Sequence, residues 1–235
     1  MDGEGGLLAL EGRPTSVLIA NQLRERIIDG SFKPGEQIRE ANLVAQLHVS
    51  RGPVREALQR LSQEGLLVSH RNRGVFVLDL TVEDVSEIYA AREAIELAAA
   101  KAILALEPSE IAAIAGRLSA IISSMASLVA PEDWRRLSEL DLGYHLALVE
   151  SANNSRLTRI YSTLAAESRM CMVNLGASYP RPAALVEEHQ RLVDLLAAGD
   201  ADRLAQAITE HMASAVEDLT ASMRAGALVD VPGHT

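Results

Sequence analysis

The chain has 235 residues, 48% apolar but only 3% aromatic, with a formal charge of −10. That length holds two compact domains, and a composition rich in Ala and Leu favours packed helices over sheets. No run reaches the roughly 18 apolar residues of a membrane span. MDGEGGLLALEG lacks the basic and apolar regions of a secretory signal, and the single cysteine, Cys171, makes no intrachain disulfide, so a cytoplasmic protein without membrane contact is expected.

Charge divides the chain. Arg13 to Leu78 carries ten Lys/Arg against six Asp/Glu, whereas Thr81 to Thr235 carries twelve against twenty-two. A basic front and an acidic back point to one part that meets a polyanion and another with a separate task. The expected organisation is a flexible tail over 1–12, a first domain over 13–78, a second over 81–222 and a flexible tail over 223–235.

In the front domain, Ser16 is placed to cap a helix carrying Val17, Leu18, Leu23, Ile27 and Ile28, which Gly30 stops. SFKPGEQI reads as a turn. A short helix follows over about Arg39–Leu47, then a helix capped by Ser50 with Pro53 in its first turn, ending at Gly65. LLVSHRNRGVFVLDL has strand character, with Arg71-Asn72-Arg73-Gly74 as the turn. Three helices followed by a hairpin is the order of a winged helix-turn-helix. The back domain reads as six helices, near Val82–Leu106, Ser109–Val129, Pro131–Ser151, Ser155–Leu175, Ala183–Ala198 and Ala201–Met223. Short connections make these an antiparallel bundle, so the fold class is mainly α.

On the helix after Ser50, Arg51, Arg55 and Gln59 recur every four residues, on a different side from Val54, Leu58 and Leu61. A recognition helix needs that division: apolar contacts hold it while long donors reach base edges and phosphates. The tip Arg71–Gly74 could place cations in a neighbouring minor groove. The alternative is that Arg55 pairs with Glu56 or Glu25 and that the turn arginines are merely solvated.

The run FKPGEQIREANLVAQLHVSRGPVREALQRLSQEGLLVSHRNRGVFV resembles the DNA-binding domain of the GntR family of bacterial transcription factors, over essentially all of 13–78. The resemblance implies operator contacts by Arg51 and Arg55 and by the wing tip at Arg73 and Gly74. Many members carry an arginine where this chain has Ala41; Arg39 lies close by.

In the back domain Asp141 and His145, four apart, share a helix face; His189 lies on the stripe Leu185, Leu192, Val193 and Leu196, and His211 on Leu204, Ile208 and Ala215. Three inward histidines on three helices can converge, and neutral imidazoles with a carboxylate suit Zn²⁺, Ni²⁺ or another divalent ion. Taken singly, each histidine can equally be a hydrogen-bonded core residue, and Asp141–His145 an ordinary i,i+4 pair. The Asp-x-x-x-His pair, the EEH at His189 and the final His211 resemble the FCD effector domain of the FadR subfamily over 81–222, and six helices point to its VanR-like branch. That resemblance implies a divalent metal, with zinc or nickel foremost, on Asp141, His145, His189 and His211.

Arg92 falls on the inward stripe Val85, Ile88, Ile95 and Ala99, where a guanidinium needs an anion. It either pairs with Glu96 one turn on or holds the carboxylate of a small organic-acid effector, which the resemblance favours; Arg169 is a second candidate. Cys171 and Trp134 read as packing residues. The expected function is a homodimeric transcription regulator that binds a double-stranded DNA operator with an affinity set by that effector. A metal sensor is one alternative. Another is a metal-dependent hydrolase or lyase, although no H-E-x-x-H, nucleophile elbow or phosphate loop is present.

Overall fold

A computed structural model describes residues 14–128, 130, 133–173 and 181–229. The expected tail over 1–12, residues 230–235 and residues 174–180 lie outside the described residues.

Three helices open the chain: α1 (Thr15–Ile28), α2 (Glu40–Leu47) and α3 (Arg51–Gln63). Ser16 does not cap α1; Pro14 stands at that position, and Ser16 is buried inside the first turn. Between α2 and α3 the chain turns through His48, held in the left-handed region at φ 52°. Ser50 occupies the cap position of α3, but its side chain makes no capping hydrogen bond. Val54, Ala57, Leu58 and Leu61 lie on the inward side of α3 and join Ile19, Leu23, Ile27 and Leu43 in one core. That packing turns Arg51, Arg55 and Gln59 outward.

The wing is a three-stranded antiparallel sheet in the order β1-β3-β2, from β1 (Gln37–Ile38), β2 (Leu67–His70) and β3 (Gly74–Val77). The stretch that reads as turn in the sequence contains β1, which is two residues long and pairs Gln37 with Phe76 and Ile38 with Val75. A two-residue strand carries no periodicity to read. Asn72, at φ 62°, turns the tip.

Six helices follow among the described residues: α4 (Val82–Ile103), α5 (Pro108–Met125), α6 (Trp134–Ser151), α7 (Ser155–Val173), α8 (Pro182–Ala198) and α9 (Ala201–Val229). The chain leaves helix over 104–107, and Pro108 is the first residue of α5, where a missing N–H is harmless. α9 continues to Val229, so the chain is helical past residue 223, where a tail was expected. α4 packs on α9, α7 and α6, α5 on α6 and α8, and α8 on α9. No helix among the described residues is long and apolar enough to cross a membrane.

The link between domains is pinned at Thr81. Its Oγ1 accepts from the Asp84 N–H at 3.1 Å, while Asp84 Oδ2 accepts from the Thr81 N–H at 2.8 Å, a reciprocal cap for α4. Thr81→Ala removes one arm and is expected to cost about 1 kcal/mol, read as a fall in Tm of roughly 2–4 °C. An unchanged Tm would show that the cap adds nothing beyond solvent.

Candidate metal centre and nucleic-acid interface

α3 presents Arg51, Arg55 and Gln59 on its exposed side. Arg55 Nε donates to Glu40 Oε2 at 2.8 Å, and Arg51 Nε stands 4.0 Å from Glu40 Oε1. The carboxylate beside Arg55 is therefore neither Glu56 nor Glu25 but Glu40, from the first turn of α2. Glu40 sets both guanidiniums along the outer edge of α3 while leaving them largely exposed, at 71% for Arg51 and 66% for Arg55. Arg39 is exposed just before α2.

At the wing tip Arg73 is exposed, with its guanidinium 6.0 Å from the centroid of the Phe76 ring. Gly74 has φ 104°, and a Cβ there would lie 2.9 Å from Gln37 Nε2. That amide donates to the Arg73 carbonyl at 2.7 Å, so Gln37 from β1 props the tip. Gly74 thus serves the wing through backbone conformation and close approach.

The second constellation lies inside the bundle. Asp141 and His145 come from α6, His189 from α8 and His211 from α9; all four are buried, with their donor atoms within 4.8 Å of one another. His145 Nε2 is 3.2 Å from both His189 Nε2 and His211 Nε2, and Asp141 Oδ1 is 3.2 Å from His189 Nε2 and 4.0 Å from His145 Nε2. Each imidazole is anchored from behind. His145 Nδ1 lies 2.8 Å from Glu96 Oε2, His189 Nδ1 2.7 Å from the Leu185 carbonyl, and His211 Nδ1 2.8 Å from Glu188 Oε2.

Those outer partners decide the tautomers. A carbonyl or carboxylate accepts, so each Nδ1 carries hydrogen and each Nε2 directs a lone pair at the same point. Three lone pairs at such separations repel unless a proton or cation sits among them. Burial would lower the His189 imidazole, but the Asp141 hydrogen bond and charge raise it instead. Burial likewise opposes ionisation of Asp141, yet His189 pulls its carboxyl well below the ordinary range. Burial, reinforced by the Arg92 charge, keeps His145 neutral. A divalent ion fits the same point: bonds of about 2.0–2.1 Å set neighbouring donors of a tetrahedral ion about 3.3 Å apart.

Arg92, 1% exposed, adjoins this group. Nε donates to Tyr161 Oη at 3.0 Å, NH1 to Ser168 Oγ at 3.3 Å and NH2 to Glu96 Oε1 at 3.4 Å, while the guanidinium stacks 4.6 Å from the Tyr89 ring centroid. Glu96 Oε1 also accepts from Tyr161 Oη at 2.5 Å. Glu96 therefore joins Arg92 to His145, and the pairing weighed for Arg92 in the sequence is present. Arg92 nonetheless lines the cavity at the cluster, with Asp141, His145, His211, Trp134 and Met172; its volume is about 20 Å³, room for one water-sized group.

Arg169 is not brought to this cavity. It pairs with Glu139 at 3.1 Å and lines the cleft between α6, α7 and the winged domain, because its place on α7 faces away from the histidines. Burial pushes the Cys171 thiol up to about 12, which leaves it a packing residue. Trp134 packs too, with its indole N–H donating to the Met172 carbonyl at 3.1 Å. Sequence reading missed Tyr161, Glu188 and Gln37 as supporting residues. Only Glu188 left a signal, in the pair of glutamates before His189.

Two family models match the chain: "Bacterial regulatory proteins, gntR family" over residues 15–77 and "FCD domain" over residues 87–214. The gluconate operon transcriptional repressor of Bacillus subtilis is 27% identical, covering 89% of this chain and 88% of its own. The Nta operon transcriptional regulator of Aminobacter aminovorans is 29% identical, covering 85% and 91%. E. coli McbR/YncC shares the fold, with a TM-score of 0.69 at 24% identity over 88% of this chain and 98% of that one. These relatives and families are regulators, so the hydrolase or lyase reading of the ligand set is discarded. With both family models matched in the order in which the fold displays their domains, the chain belongs to the GntR family of bacterial regulatory proteins, in its FCD-containing branch, and is a DNA-binding transcriptional regulator.

Proposed function

We propose that this regulator holds a divalent ion on Asp141, His145, His189 and His211, and that the ion, with a small organic acid bound beside it, sets operator affinity. The observation that carries the reading is the convergence of three Nε2 lone pairs and one carboxylate, each imidazole oriented by a separate acceptor on its Nδ1. When bound, the ion would offer a Lewis-acidic point for an effector carboxylate; Arg92 is the cation of this chain beside it. Gluconate, which names the operon of one relative, is a carboxylate of this class. In the same proposal the chain acts as a homodimer, whose two winged domains read half-sites with Arg51, Arg55, Gln59 and Arg39 and with the tip at Arg73 and Gly74.

A second reading has its own support. The cavity admits only a water-sized group, which favours the ion alone as the signal. One experiment separates the two. Operator duplexes are selected from a random library, and affinity is measured by anisotropy with chelator-stripped protein, with Zn²⁺ or Ni²⁺, and with metal plus a panel of hydroxy, sugar and dicarboxylic acids. A change of about tenfold or more on adding an acid to loaded protein supports the effector reading. A change of that size with metal alone supports the sensor. Affinity indifferent to both overturns the proposal.

The outer partners give a finer expectation. Glu188→Gln keeps an acceptor for the His211 Nδ1–H but removes its charge, and is expected to weaken Zn²⁺ binding about tenfold. Isothermal titration of both proteins checks this, and equal affinities would show that Glu188 does not tune the site.

A further inference from the structure

Met170 belongs to the bundle by chain position, yet it is 3% exposed within the core of the winged domain, in one apolar cluster with Leu23, Leu58, Leu66 and Leu67. The residues around it face both ways. Ser168 Oγ accepts from Arg92 NH1 at 3.3 Å, and Met172 lines the Asp/His cavity while its carbonyl accepts from Trp134. Glu167 lies against the other domain: a Cβ on Gly65 would stand 3.1 Å from Glu167 Cγ. Gly65, at φ 75°, is the left-handed residue through which the recognition helix α3 passes into β2. Trp134 likewise walls both the Asp/His cavity and a cleft of about 270 Å³ that includes Ile28 and Asp29 of the winged domain.

Six consecutive helical residues thus touch the buried cluster's network through Ser168 and Met172 and the DNA reader through Glu167 and Met170. A helix turn is stiff, and packed side chains transmit displacement because interiors are close-packed. We infer that the Glu167–Met172 segment of α7 is the lever that carries a change at the Asp141/His145/His189/His211 group to the end of the recognition helix, with Met170 as its grip on the reader. The inference rests on that group being an ion site.

The test uses the full chain and Zn²⁺ alone as the probe. Emission of Trp134, the only tryptophan, reports the site, and amide hydrogen exchange at Leu66 and Leu67 reports the reader. In the wild type, Zn²⁺ is expected to shift Trp134 emission and to slow exchange at Leu66 and Leu67 about tenfold. In Met170→Ala the emission shift and Zn²⁺ affinity are expected to remain and the slowing to disappear. Should that variant not fold, Glu167→Ala, which removes only a half-buried side chain, is expected to show the same loss. Slowing undiminished in the variants, or Zn²⁺ bound to the wild type without slowing, overturns the lever while leaving the ion site intact. Absence of bound Zn²⁺ in the wild type, with no emission shift, overturns the ion site and the lever with it.

Discussion

His189→Ala is expected to lose Zn²⁺ binding by about 100-fold or more, beyond the cost of disturbing an outer partner. His189, from α8, places its Nε2 3.2 Å from both Asp141 Oδ1 and His145 Nε2 of α6, so it joins the α6 donors to a second helix. Alanine leaves two imidazoles and a carboxylate, and takes away the hydrogen-bond partner of Asp141. A ligand at about 100 times its Kd adds about 2.7 kcal/mol of stability by mass action, so the wild type is expected to melt at a higher temperature with Zn²⁺ at that level. The H189A chain is expected to lose that shift at the same Zn²⁺ concentration. His70→Ala, at an exposed strand position, serves as the control and should keep it. A loaded H189A chain with wild-type affinity would mean that the histidines form a hydrogen-bonded core and nothing more.

Arg55→Ala is expected to weaken operator binding by about ten- to a hundredfold, or about 1–3 kcal/mol. Arg55 is exposed on α3, and Glu40 holds its Nε in the free protein. Anisotropy with single-base operator variants separates two roles. A base contact relaxes preference at one position, whereas a phosphate contact lowers all affinities together and flattens the salt dependence by about one ion. Binding unchanged in R55A would remove α3 from the operator. Glu40→Ala sharpens the test, because it frees both Arg51 and Arg55 without removing either, and its effect should be far smaller.

The winged domain was legible because its signals are local. The apolar stripe Val54, Leu58 and Leu61 fixes which side of α3 turns inward, and with it where Arg51 and Arg55 point. β1 was hidden by its brevity, and with it Gln37's support of the tip. In the bundle, periodicity placed His145, His189 and His211 on inward faces, but nothing in spacing alone brings α6, α8 and α9 to a common point. Arg92 was read correctly as buried, and Glu96 as its neighbour one turn away. The Glu96 contact with His145 crosses from α4 to α6 and leaves no trace in the sequence. Arg169 shows the opposite failure. Its residue type suited an anion, but α7 is nearly half-buried all round where it meets the winged domain, so its inward face could not be told from its outer one.

X-ray absorption at the metal edge of the Zn²⁺-treated protein without DNA reads out which side chains hold the ion. Asp141, His145, His189 and His211 together predict a first shell of three imidazole nitrogens and at least one carboxylate oxygen, with the scattering pattern of ordered imidazole rings. A shell of water oxygens alone, or of fewer than two imidazoles, would contradict it.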